Sequence, residues 1–145
     1  MINKPLFKII CLCSMITGAI IGVFPLIPAL TSIAFLAVMF LIAPFILIYL
    51  KSLNILKELQ MEQSLAVSAI AGTFAFLGFA VIYFPIAFIL NLMFKIQSFL
   101  WIKVIFTNFG FLIPMIILTA LLCGLINTFS GFLTVYFYDY FKLKK

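Results

Sequence analysis

Histidine and arginine are absent from this chain, and its acids number three: Glu58, Glu62 and Asp139. Without histidine, the usual general base and neutral nitrogen ligand at physiological pH are missing. No glycine-rich phosphate loop, Gly-x-Ser-x-Gly elbow or Cys-x-x-Cys pair occurs. Glu58 and Glu62 stand four apart and share a helix face, but Lys51 and Lys57 are close and no third ligand is evident. They read as a solvated face. The inventory therefore points away from an enzyme, with no catalytic residue, metal or cofactor expected.

Charge is scarce as well. Charged residues make up 8% of 145 positions, against about 25% in a typical soluble domain. No charge falls inside a long apolar run. A proton-coupled carrier usually needs a carboxylate or histidine there, and a voltage sensor needs a row of cations. The Thr-Val-Gly-Tyr-Gly pattern of potassium filters is also missing. The formal charge of +6 comes from nine lysines set singly or in small groups beside apolar runs. That distribution suits topology-setting flanks and gives no basis for nucleic-acid binding.

What is present is apolar. Hydrophobic residues are 68% of the chain and aromatic residues 17%, with 19 phenylalanines. A soluble fold of this size has no interior large enough to hide that surface, so the solvent for most of the chain is lipid. The expected class is an all-α integral membrane protein with four transmembrane helices.

Gaps between charges set the spans. Residues 9–50 are uncharged for 42 positions, and one crossing needs about 20 apolar residues. Two spans fit, divided at Pro25 and Pro28, which remove backbone donors and restrict the residues before them. The expected boundaries are 7–26 and 29–50, joined by a short turn. Residues 51–64 are the most polar part of the chain and form the loop to a third span at 65–90. Asn91, Lys95 and Ser98 then fall on one helical face, so 91–106 reads as an interfacial segment or a loop with snorkelling lysines. A fourth span fits at 109–135.

Met1 to Lys8 would pass for the basic start of a signal peptide, but the apolar run after it is too long. With four spans in two hairpins, Lys4, Lys8, Lys51, Lys57, Lys142, Lys144 and Lys145 share one side, and Lys95 and Lys103 the other. Both termini are expected in the cytoplasm by the positive-inside rule, in a bacterial inner membrane if the source is bacterial. Tyr49, Tyr136, Tyr138 and Tyr140 mark the inner interface, Tyr83 and Trp101 the outer one. Three free thiols are expected, since Cys11, Cys13 and Cys123 lie in apolar, reducing surroundings.

Small residues mark packing faces. Ser14, Gly18 and Gly22 recur every fourth position, and Ser68 and Gly72, or Ala71, Ala75 and Gly78, offer the same on the third span. Such stripes let helices approach closely in lipid. The expectation is packing of span one on span three, with a dimer or partner seam as the alternative. Ser14, Ile16 and Gly18 match Ser68, Ile70 and Gly72 in spacing, which raises a tandem repeat as a possible organisation.

Prolines and intramembrane polar groups complete the set. Pro25, Pro28, Pro85 and Pro114 are expected toward the outer leaflet, Pro44 toward the inner one. Each frees a carbonyl and can kink its helix. Bends at similar depth would splay three helices around an outward cavity. Asn127, Thr128 and Ser130 form the densest polar cluster, with Gly124 and Gly131 beside them. An asparagine in hydrocarbon usually finds a partner on another helix; the alternative is a polar path.

Three classes follow. The first is a non-catalytic membrane subunit or assembly protein, acting in the lipid bilayer with a membrane protein partner or as a homo-oligomer. The second is a small transporter or channel component for a neutral or apolar solute. The third is a holin-like membrane-permeabilising protein. Induced expression that leaves the membrane potential intact would remove the third.

Overall fold

The computed structural model describes residues 4–53, 61–94 and 108–142. Those residues are helical, with no strand among them. Helix α1 spans Lys4–Ile21, and two 3-10 turns, Phe24–Leu26 and Pro28–Leu30, follow. Helix α2 is Thr31–Leu36, a π-helical segment covers Ala37–Leu41, and α3 is Ile42–Ser52. Helix α4 is Met61–Phe94 and α5 is Phe109–Lys142. Four helical stretches are long and apolar enough to cross a membrane: Lys4–Leu26, Thr31–Ser52, Met61–Met93 and Gly110–Tyr138.

Several boundaries differ from the sequence expectation. Helices α4 and α5 each hold 34 residues, or about 51 Å of rise against roughly 30 Å of hydrocarbon. They begin or end in polar residues, because a helix satisfies its own backbone whether lipid or water surrounds it. Glu62, Gln63 and Ser64 are thus helical, and Asn91 lies buried in the last turn of α4. The remainder of the polar loop (54–60) and of the interfacial segment (95–106) lies outside the described residues.

The prolines explain where helix breaks fall. Pro25 sits in the first 3-10 turn and Pro28 opens the second. The Thr31 hydroxyl donates to the freed Pro25 carbonyl at 3.2 Å. Pro44 is the third residue of α3, in a first turn where a missing N–H costs little. Pro85 and Pro114 lie inside α4 and α5 without interrupting either. Both are exposed on the bundle's outside.

Helix α4 is the axis of the bundle. It packs along much of its length against α1 on one face and α5 on another, with the second span alongside. Small residues make this possible. A Cβ on Gly18 would fall on the Ala75 carbonyl oxygen, and one on Gly22 would lie 2.9 Å from that of Phe79. A Cβ on Gly78 would fall on the Met15 carbonyl. The rise from 18 to 22 matches that from 75 to 79, so α1 and α4 run in the same sense. On the α5 side, Gly124 meets Thr73, Asn127 meets Gly72 and Gly131 meets Ser68. There one number rises as the other falls, so α4 and α5 are antiparallel.

Aromatic rings fill the rest of the core. Phe79 contacts Phe35, Phe76 and Tyr83, with centroids 5.0–5.8 Å apart. Tyr83, expected at the outer interface, is 1% exposed within this cluster. Bulky residues such as Phe111, Leu118, Leu125 and Phe129 face outward instead, as a lipid solvent allows.

Candidate functional site

Asn127 is the polar centre of the structure. It is fully buried on α5 and reaches across to the irregular part of the second span. Its Oδ1 accepts from the Ala43 backbone N–H at 2.9 Å. Its Nδ2 donates to the Val38 carbonyl at 2.9 Å and to the Cys123 carbonyl at 3.0 Å. The Cys123 thiol also donates to the Val38 carbonyl, at 3.4 Å.

The second span needs this side chain. In a regular α-helix the Ala43 N–H would bond the carbonyl four residues back. The π-helical residues Ala37–Leu41 put backbone groups out of that register. In hydrocarbon no water stands in for a lost partner. The Asn127 amide carries the same C=O and N–H pair as a peptide unit, so it serves a donor and an acceptor of the distorted backbone together. Gly72 makes the approach possible: a Cβ there would be 2.6 Å from the Asn127 Cβ.

The rest of the cluster is locally satisfied. The Thr128 hydroxyl donates to the Gly124 carbonyl at 2.8 Å, and the Ser130 hydroxyl to the Asn127 carbonyl at 3.0 Å. Thr17, Ser68, Thr73, Thr119 and Thr134 make similar bonds to carbonyls one turn back. Of the three clustered residues, Asn127 alone links separate elements through these bonds.

The predicted stripes divide between two neighbours. Ala75 and Gly78 receive α1 at Gly18 and Met15, whereas Ser68 and Gly72 receive α5. The matched Ser-x-Ile-x-Gly segments therefore serve different partners: Gly18 abuts α4, and Gly72 abuts α5. Ser14 is buried on α1, and its hydroxyl has no hydrogen-bond partner. An unsatisfied buried hydroxyl costs about 1–3 kcal/mol. Ser14→Ala is expected to keep the fold and gain about 1 kcal/mol in a detergent unfolding titration. A loss of stability would show that the hydroxyl has a use.

Cavities among the described residues flank this core. One, of about 300 Å³, is lined by Ile21, Phe24, Leu30, Ile33, Ala34 and Ala37. It sits beside the 3-10 turns and the π-helical segment. Phe24, one of its lining residues, directly precedes Pro25. Helices α4 and α5 continue through Pro85 and Pro114. Another, of about 230 Å³, lies between the ends of α3 and α5 and is lined by Leu47, Ile48, Lys51, Ser52, Thr134 and Tyr138.

At that end the Lys51 Nζ stands 3.4 Å from the centroid of the Tyr138 ring. Sequence reasoning assigned both residues to an interface but did not pair them. Their spacing along the chain carries no contact signal; they meet because α3 and α5 lie side by side. Cys11, Cys13 and Cys123 are free thiols. Among the described residues, no group of three or more histidines, cysteines or acids could hold a metal. No protein-family model, curated protein or solved structure matches this chain.

Proposed function

We propose that this chain is a non-catalytic subunit or assembly protein of a membrane complex, built as two hairpins with both termini in the cytoplasm. The carrying observation is how Asn127 is used. The polar side chain best suited to line a solute path is fully buried, and its oxygen and amide bond Ala43, Val38 and Cys123 of the same chain. Thr128 and Ser130 likewise bond their own helix. These groups serve the fold, which supports a role in contacts with lipid and protein over one in permeation.

Sidedness in this reading rests on the lysine distribution, seven against two. The test is native mass spectrometry of the tagged protein extracted gently from its host membrane. A second protein at fixed stoichiometry is expected. A bare monomer, or only copies of this chain, would overturn the subunit reading.

A further inference from the structure

We infer that the groove between the ends of α3 and α5 is a seat for one anionic phospholipid, with its phosphate on Lys51 and an acyl chain along Leu47 and Ile48. The inference does not depend on the subunit role and takes from the proposed reading only the cytoplasmic placement of Lys51.

The groove combines two chemistries in the order a phospholipid presents them. Lys51 stands in the last turn of α3. Below it, about one turn away, Leu47 and Ile48 form apolar walls, and Thr134 and Tyr138 close the opposite side. The Thr134 hydroxyl donates to the Ser130 carbonyl and the Ser52 hydroxyl to the Tyr49 carbonyl, each at 2.8 Å. Their protons are committed. The Lys51 ammonium and the Tyr138 hydroxyl are the donors that remain.

Lys51 is held rather than free to sweep through solvent. Its ammonium rests against the Tyr138 ring, and it makes no ion pair among the described residues. A ring face satisfies one side of an ammonium, which has three donors to place. A phosphate oxygen supplies the countercharge the aromatic ring lacks. The apolar walls discriminate further: a free phosphate gains nothing from Leu47 and Ile48, whereas a lipid places its chain there. The proposed cytoplasmic leaflet is also where anionic lipids collect and where juxtamembrane lysines attract them.

The test is a lipid titration of the full-length protein in mild detergent, read by native mass spectrometry. The probes are phosphatidylglycerol, phosphatidylcholine with the same chains, and glycerol phosphate with none. Wild type is expected to retain one phosphatidylglycerol more tightly than phosphatidylcholine and to ignore glycerol phosphate. Lys51→Gln should weaken phosphatidylglycerol about tenfold, the scale of one lost charge-assisted hydrogen bond. Ile48→Trp, at an exposed position, keeps the charge but fills the groove and should weaken binding as much. Lys8→Gln removes an exposed lysine of α1 outside the groove and should change nothing.

Unchanged binding in both Lys51→Gln and Ile48→Trp would overturn the proposal. An equal loss in Lys8→Gln would also overturn it, by showing diffuse attraction. Comparable binding of glycerol phosphate would replace the lipid with a free phosphate ligand. Circular dichroism on each variant separates lost binding from lost fold. If Lys51→Gln does not fold, Ile48→Trp with its charge intact decides the matter.

Discussion

Asn127→Leu is expected to destabilise the protein by about 3 kcal/mol, well above the roughly 0.6 kcal/mol average for a hydrogen bond between membrane helices. The difference lies in what is left behind. Leucine matches the volume but removes the side-chain partner of the Ala43 N–H and leaves the Val38 carbonyl only the weak Cys123 thiol donor. Most interhelical bonds orphan a side chain that finds another partner. Here one backbone N–H loses its partner and a carbonyl is left to a thiol, in a segment already out of α register.

Asn127→Asp sharpens the test. It keeps an acceptor for Ala43 but loses the donors, setting a carboxylate beside the Val38 and Cys123 carbonyls. It should be worse than leucine at neutral pH. Equilibrium unfolding in mixed detergent micelles, followed by helical circular dichroism, measures both. A leucine variant within 0.5 kcal/mol of wild type would show that the clamp is dispensable. Flux measured on the same variants in liposomes adds a second reading: an altered solute flux at unchanged stability would put Asn127 on a path.

Gly18→Ala is the second large effect, expected at about 2–3 kcal/mol or more. The added methyl would meet the Ala75 carbonyl of α4. Backbone has no rotamer to yield, so α1 must move away along the seam. Gly78→Ala meets the Met15 carbonyl of α1 from the other side. Since both open the same seam, the double variant should cost less than the sum of the singles. Gly110→Ala is the control, because nothing lies within 4 Å of its Cβ position. It should stay within about 0.5 kcal/mol of wild type or gain slightly.

Gly131→Ala differs in kind. Its obstacle is the Ser68 hydroxyl, a side-chain atom that a second change removes. Adding Ser68→Ala should recover much of the loss at Gly131 and none of the loss at Gly18. Equal recovery at both would mean that the two seams act as one. Thermal or detergent unfolding of the four variants reads this directly.

The amino-acid sequence by itself determined that the chain lives in lipid and how often it crosses. Composition carries the first because an apolar fraction of this size has no aqueous solution. Spacing between charges carries the second because the hydrocarbon slab has one thickness. It also marked Gly18, Ala75, Gly78, Ser68 and Gly72 as close-packing positions, since helical periodicity says which residues share a face. Only the tertiary structure decided which face meets which. Periodicity is a property of one helix and holds no information about its neighbour, so Ser68 and Gly72 turned out to serve α5 and not α1. The π-helical segment was illegible for a related reason. Pro44 hints at a break, but the groups that make it tolerable, Asn127 and Cys123, lie more than 80 residues along the chain. Lys51 and Tyr138 likewise meet only because α3 and α5 pack side by side, and the Asn127 amide joins those two stretches of helix where lipid cannot hydrate their backbone.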